Sequence, residues 1–304
     1  MTSKAPMALK PKGMSRNGFI LLMLAPATVL LLTVTLFPFI TALVMSFSNY
    51  YLSKPDDFAF IGFENYSDLI ASSEFWKAFR ITAVFTFFAV IIQTLIGTSV
   101  ALALHYEARR TAWLRLIYLL PMAITPVAAT FTFRMMYNPS LGVFNHFMKQ
   151  MGLPPQDWLG APDTALVSLL VVDTWQWAPF IMLIAAGGLA AMDEEPLEAA
   201  RMDGAGFWQI LFHHVMPMLF PYLAFALLFR AIDAFKTFDI IFVLTGGGPG
   251  TLTRTLNLLT YKHGIDFLSM GYASALAVVM LIITIIASQV FLRRLNLLQS
   301  SEAR

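Results

Sequence analysis

Arg230, Asp233, Lys236 and Asp239 stand three residues apart, with alternating sign, in a stretch otherwise apolar enough for a lipid bilayer. A charge inside a bilayer costs several kcal/mol, so such residues usually face a protein interior or a watery path. On a helix this spacing makes a slowly winding stripe whose neighbours can pair. Counted from Met218 at about 1.5 Å per residue, Arg230 lies about 18 Å along the helix and Asp239 about 32 Å. A second apolar stretch brings Asp173-Thr174-Trp175-Gln176-Trp177 to a comparable depth. Aromatic faces beside hydrogen-bonding groups suit a polyhydroxylated ligand, whose C–H faces stack and whose hydroxyls need partners. Two roles are open for these residues. Trp175, Trp177, Lys236, Thr237 and Asp239 line a path for a polar solute. Alternatively, the charges form an ion-pair ladder within and between helices that joins two subunits, and the tryptophans are packing anchors. For Arg230 and Asp233 the pairing role is expected.

Other residues capable of chemistry fail on spacing. Thr245-Gly246-Gly247-Gly248-Pro249-Gly250 has the glycines of a phosphate loop, but no Lys-Ser or Lys-Thr follows in frame. It reads as a turn ending a helix. His213 and His214 are adjacent, so on a helix their side chains diverge by about 100° and chelate one metal poorly. With no cysteine, thiolate metal sites, disulfides and cysteine nucleophiles are excluded. No Ser-His-Asp or paired-carboxylate spacing is recognisable. The chain is expected to perform no bond chemistry and to need no metal and no cofactor of its own.

The elements that position these residues are membrane spans. The chain has 304 residues, 58% hydrophobic and 12% charged, with a mean hydropathy of +0.69; soluble domains carry about 25% charged residues. A net charge of +2 is too small to suggest a nucleic-acid partner. A spanning helix takes about 20 apolar residues, and six runs qualify: 18–47, 79–105, 114–137, 164–191, 218–245 and 273–295. The first is too long for a signal-peptide core and is expected to be retained. Its prolines, Pro26 and Pro38, predict a bend or an interfacial extension. Pro121 and Pro126 in the third run and Pro179 in the fourth also mark bends. Segment 49–78 predicts a short interfacial helix over Glu64–Ala71 with Trp76 at the membrane surface. With segment 138–163 it forms a rim on which a soluble partner could rest.

Six spans put both termini on one side. That side would hold eleven of the basic residues, among them Lys4, Lys10, Lys12, Arg109, Arg110, Arg201 and Arg304; the other side holds six, Lys54, Lys77, Arg80, Lys149, Arg254 and Lys262. The bias places both termini and the 192–217 loop in the cytoplasm. The chain then divides into a cytoplasmic segment 1–17, a six-helix domain 18–295 and a cytoplasmic tail 296–304.

That loop is the longest polar interruption on its side, and it predicts a helix–turn–helix. Asp193 is a suitable N-cap, and Glu194 and Glu195 put negative charge in the first turn. Pro196 fits an early helical position. Gly204 is placed to end the helix in a left-handed turn. Ala199 and Ala200 leave a flat strip that another surface can approach. A second amphipathic segment runs from Phe207 to Val215, and Pro217 leads back into apolar sequence.

Glu198-Ala199-Ala200, then Gly204 and Pro217, resembles the EAA loop of permease subunits of binding-protein-dependent ABC importers. His214 and Met216 stand where that family usually has Ile and Leu. Ile61–Tyr66 (IGFENY), the run FDIIFVLTGGGPGT from Phe238, and Gly271–Val279 (GYASALAVV) are similar to the carbohydrate-uptake branch, and the likeness covers nearly the whole chain. The resemblance implies an all-α integral membrane protein of the bacterial inner membrane, with six spans and a cytoplasmic coupling helix between spans 4 and 5. It implies that Glu198, Ala199, Ala200, Asp203, Gly204 and Pro217 couple to a separate ABC ATPase dimer. The implied partners are a second, homologous permease, an extracytoplasmic solute-binding protein, membrane lipid and a carbohydrate-like solute. An ion-gradient-driven secondary transporter using Asp173 or Asp233 is the alternative. Such carriers commonly show inverted repeats, and none is visible here. Single cysteines at Ser53, Ser140 and Thr251 should react with a membrane-impermeant thiol reagent in intact cells, and one at Gln299 should not. Labelling at 299 would overturn the six-span reading.

Overall fold

The computed structural model describes residues 15–106 and 112–302. Most of segment 1–17, with Lys4, Lys10 and Lys12, lies outside the described residues, as do Arg109, Arg110 and Arg304. Helix α1, Arg16–Met45, is capped by Ser15, whose hydroxyl accepts the Gly18 N–H at 3.1 Å. It runs through Pro26 and Pro38 for 30 residues, or about 45 Å, longer than a bilayer's apolar core of about 30 Å. Helix α2 is Glu64–Ala71, as predicted. Then come α3, Ser73–Tyr106, and a bent pair, α4, Ala112–Ala123, and α5, Pro126–Met136. Helix α6, Val143–Gln150, lies in the following loop, and α7 is Pro162–Ala190. Helix α8, Glu195–Met202, is followed by α9, Phe207–Ile210, a π turn at Leu211–Val215, and α10, Met216–Phe235. The chain closes with α11, Asp239–Leu244, α12, Leu256–Tyr261, a second π turn at Lys262–Asp266, and α13, Met270–Glu302.

Two spans differ from expectation. The predicted third span, 114–137, is two helices meeting at 94°. Pro126 has no N–H to continue the α4 ladder and pushes Thr125 into extended backbone, φ −60° and ψ 137°. The predicted fifth span, 218–245, begins earlier and ends earlier: helix runs from Phe207 to Phe235, then breaks at Lys236–Phe238 before α11. Its π turn lies directly ahead of Pro217, where a missing N–H leaves the ordinary i→i−4 ladder one bond short.

The bent pair nevertheless crosses the bundle. Helices α3 and α7 lie side by side and point the same way: Phe85 packs with Leu169, Gln93 bonds Asp173, and Ala101 packs with Ala185. A chain leaving the end of α3 must therefore return to the opposite end to begin α7. Tyr118 of α4 packs near Ala101 and Ala185, whereas Phe133 and Tyr137 pack near Phe85 and Leu169, so the pair spans that distance. Helix α10 runs back against both, with Leu219 beside Gly188 and Arg230 beside Asp173. Helix α1 packs on α13 and buries none of its residues. With the bent pair counted as one, the described residues make six crossings, with the start of α1, the end of α13 and the 192–217 loop at one end.

At the other end the loops are held by two amides. The Asn145 side chain donates to the Pro139 and Gln156 carbonyls and accepts from Gln156 N–H and Trp158 Nε1–H at 2.8–3.0 Å, which uses its full hydrogen-bonding capacity. Asn65 of α2 donates to the carbonyls of Ser46 and Ser48 at 2.9 and 2.8 Å. The close approach of α3 to α7 depends on Gly97, where a Cβ would lie 2.7 Å from the Ala178 carbonyl oxygen and from Ile181 Cβ. Gly97→Val should therefore lower stability by about 1–3 kcal/mol through overpacking. Gly187→Ala, where a Cβ meets nothing within 4 Å, should not. Melting curves of the purified variants check this contrast.

Candidate functional site

Arg230 is the largest fully buried side chain among the described residues. Apolar sequence on all sides forces its five N–H donors to find acceptors inside the bundle. Its Nη2 donates to the carboxylate of Asp173 on α7, Nε donates to Gln93 Oε1 on α3 at 2.6 Å, and Nη1 donates to Asp233 Oδ2 one turn on at 2.7 Å. Gln93 Nε2 donates in turn to Asp173 Oδ2 at 2.7 Å, closing a ring of three side chains. Trp177 lies under the guanidinium, 5.3 Å from centroid to Cζ, a cation–π distance. The ladder thus joins three helices of this one chain. Gln93 is the member that sequence reasoning misses; the signal is a lone amide in an apolar span.

The proposed stripe also stops at Asp233, because α10 ends at Phe235. Lys236, Thr237 and Asp239 occupy the break and the first turn of α11. Lys236 is exposed, and its carbonyl accepts from Asn257 Nδ2 at 2.6 Å. Depth counted along one straight helix therefore does not apply to Asp239. Trp175 and Trp177, two residues apart on α7, point to opposite sides. Trp175 meets Phe133 edge-on, with centroids 5.1 Å apart, and borders a cavity of about 850 Å³ between α3, α4 and α7. Its other walls are almost wholly apolar, including Phe88, Ile92, Ile96, Ile117 and Leu170, so it lacks the partners that hydroxyls require. Trp177 shares the opposite side with Phe180, which packs on Phe229 at 6.2 Å. On α10, Phe225, Phe229 and Asp233 recur at helical spacing and form an open aromatic and charged face, and Lys236 follows exposed just past the helix end. The five path candidates therefore do not line one cavity.

The 192–217 loop folds much as its sequence dictates. Helix α8 starts after Glu194, which replaces Asp193 as N-cap without a side-chain bond, with Pro196 in the first turn. Gly204 sits at φ +82°, and the following Ala205 N–H returns to the Ala200 carbonyl at 3.0 Å. Ala199 and Ala200 do not form a free strip. Ala200 is buried with Ile210, Leu211, Val215, Ala185 and Leu189, because its place on the helix turns it toward the bundle. Glu198, Ala199, Asp203 and Gly204 remain exposed on the far side. Pro217, also exposed, lies inside the continuous helix rather than in the turn.

Residues 93–296 match the family model described as "Binding-protein-dependent transport system inner membrane component". The chain is 35% identical over 234 residues to the trehalose/maltose transport system permease protein MalF of Thermococcus litoralis, covering 77% of this chain and 79% of the relative. It is 33% identical to the sulfoquinovosyl glycerol transport system permease protein SmoG of Agrobacterium fabrum, covering 90% of this chain and 88% of that one. In fold it is similar to a subunit of a bacterial alginate ABC transporter solved with an alginate pentasaccharide-bound periplasmic protein. The TM-score is 0.79 at 20% identity, over 91% of this chain and 93% of that one.

Removing Arg230 alone strands the buried Asp173 carboxylate. Arg230→Met should cost about 3–5 kcal/mol, while Arg230→Met with Asp173→Asn should restore most of that loss. Thermal unfolding of the single and double variants in detergent is the measurement. Additive losses would show that the two side chains are not coupled.

Proposed function

The chain belongs to the binding-protein-dependent transport system inner membrane component family, and on that premise we propose that it carries a sugar or sugar-like solute across the inner membrane. It is a membrane-spanning ABC importer subunit, and the family works with an ATPase and a substrate-binding protein. Trehalose, maltose and sulfoquinovosyl glycerol in the names of its relatives support a carbohydrate solute. The ion-gradient alternative finds no support among them. In our reading a second, homologous permease completes the pathway, and both termini lie in the cytoplasm, as the basic-residue bias favours. Solute passes along the open face bearing Trp177, Asp233 and Lys236, with Thr237 and Asp239 at its outer end. The ion-pair ring behind that face holds it rigid.

The observation that carries the coupling role is α8 itself. It is a short helix, seated on the bundle through Ala200, with Glu198 and Ala199 turned outward at the end where α1 begins and α13 ends. A separate ATPase that closes on ATP would move it, and alternation between outward and inward access requires such a two-state lever. Ala199→Trp tests this, since that position is exposed and its replacement leaves the packing around Ala200 alone. Gly204→Val adds a Cβ branch at φ +82°, a strain of about 1 kcal/mol or more. Both variants should insert and fold, yet lose ATPase co-purification and solute-stimulated ATP hydrolysis. Glu198→Lys should be milder, because an exposed ion pair contributes about 0–1 kcal/mol. Full co-purification and full stimulated hydrolysis in Ala199→Trp would show that α8 is not the coupling element.

A further inference from the structure

The ion-pair ring leaves two acceptors over. Both bonds to the Asp173 carboxylate, from Gln93 Nε2 and from Arg230 Nη2, land on Oδ2. Oδ1 is buried and meets no donor among the described residues. Gln176, one turn further along α7, donates its Nε2 to the Ile124 carbonyl at 3.1 Å. Its Oε1 is likewise buried and without a donor. The two residues are 0% and 1% exposed, so bulk solvent reaches neither oxygen.

A buried polar atom without a partner is costly, and an ionised one more so. Here two such acceptors stand three residues apart, a spacing that puts side chains on neighbouring turns of one side of a helix. One group with two hydrogens to give can serve both. Water is the smallest such group, and it still accepts a bond in return. Three of the five guanidinium N–H groups of Arg230 meet Gln93, Asp173 and Asp233, which leaves others to donate to it. A cation fits less well. It would share one carboxylate with a guanidinium that repels it, and the two oxygens fall short of the about six that a hard cation takes. Among the described residues no group of three or more metal-ligating His, Cys, Asp or Glu side chains exists. The position of Gln176 gives such a bridge its consequence. Ile124 lies at the corner of the bent pair, between the end of α4 at Ala123 and the start of α5 at Pro126. Gln176 thus holds the corner with one end of its amide. A water on the other end joins the corner to Asp173, and through it to Arg230 on α10.

We propose that a buried water molecule bridges Asp173 Oδ1 and Gln176 Oε1, and so extends the ion-pair ring from α10 to the α4–α5 corner. The proposal stands on these side chains and does not depend on which solute the chain carries. The test is a density map of the whole transporter, with its second permease and ATPase subunits, in nanodiscs, at a resolution that shows ordered water. A peak at hydrogen-bond distance from both oxygens is the expected result, and it needs no substitution. Gln176→Met keeps the length of the side chain but removes both ends of the amide, and the peak should vanish. Amide hydrogen exchange over residues 122–129 should then quicken about tenfold. Arg230→Met with Asp173→Leu leaves the Gln176–Ile124 bond in place, yet it should also quicken exchange at the corner, by less. The two oxygens in direct contact, sharing a proton with nothing between them, would overturn the proposal. So would a peak ringed by further carbonyl oxygens at metal–ligand distances, or one that persists in Gln176→Met. Corner exchange at the parent rate in the double variant would overturn the extension to α10.

Discussion

A guanidinium cannot lie in the middle of an apolar bundle unless its donors are met, and that constraint organises the helices around Arg230. Its acceptors come from three spans that are far apart in sequence: Gln93, Asp173 and Asp233. They are met with α3 and α7 side by side and α10 running back against both. Gly97 and Gly188 permit the required closeness, since a Cβ at either would strike the neighbouring helix. A buried ion pair is not in itself strong evidence of net stability, because desolvation opposes the attraction. Its physical effect is to penalise every arrangement in which one partner is left alone, so the ring selects one packing among many that would bury the same apolar surface.

The parallel pair has a topological consequence. Two neighbouring spans can point the same way only if the chain crosses back between them, and the α4–α5 pair makes that crossing despite its 94° bend. The apolar space bordered by Trp175 lies on the α4 side of this bend, beside Ile117, Tyr118 and Pro121. One proline accounts for the broken span.

Much of this was legible in the sequence. Runs of apolar residues located the spans, because the bilayer sets their length. Helix α2 and the Gly204 turn followed from local rules that involve few neighbours. Legibility failed where tertiary packing decides. Hydropathy cannot distinguish a straight span from two helices with a proline corner, so 114–137 reads as continuous. Three-residue spacing implies a stripe only while the helix lasts, and α10 ends before Lys236. Trp175 and Trp177 look like a pair in sequence, but two residues on a helix turn the second away from the first. Ala200 beside Ala199 is the same lesson, one buried and one exposed on a helix whose small residues look equivalent in the sequence. Gln93 could be suspected as a lone amide, but its role depends on Arg230, 137 residues away.

The loop and the ion-pair ring sit at different depths, but they are mechanically continuous. Helix α7 carries Asp173 and leads into α8, and the helix that begins at Phe207 leads to Arg230. Between them, Ala200 shares an apolar cluster with Ile210, Leu211 and Val215 at the base of that helix, and with Ala185 and Leu189 at the end of α7. A force on α8 must either break this cluster or move the bases of both helices together. Breaking it would expose apolar side chains and leave a gap in a close-packed region. Moving both bases together preserves it. The π turn at Leu211–Val215 lies at this base, where its loosened hydrogen-bond register offers bending without loss of helix. Above it the ring clamps α10 to α3 and α7. The fifth span therefore has its compliant element near the loop and its stiff element near the middle, an arrangement that turns motion at one end into a tilt of the helix rather than a local distortion.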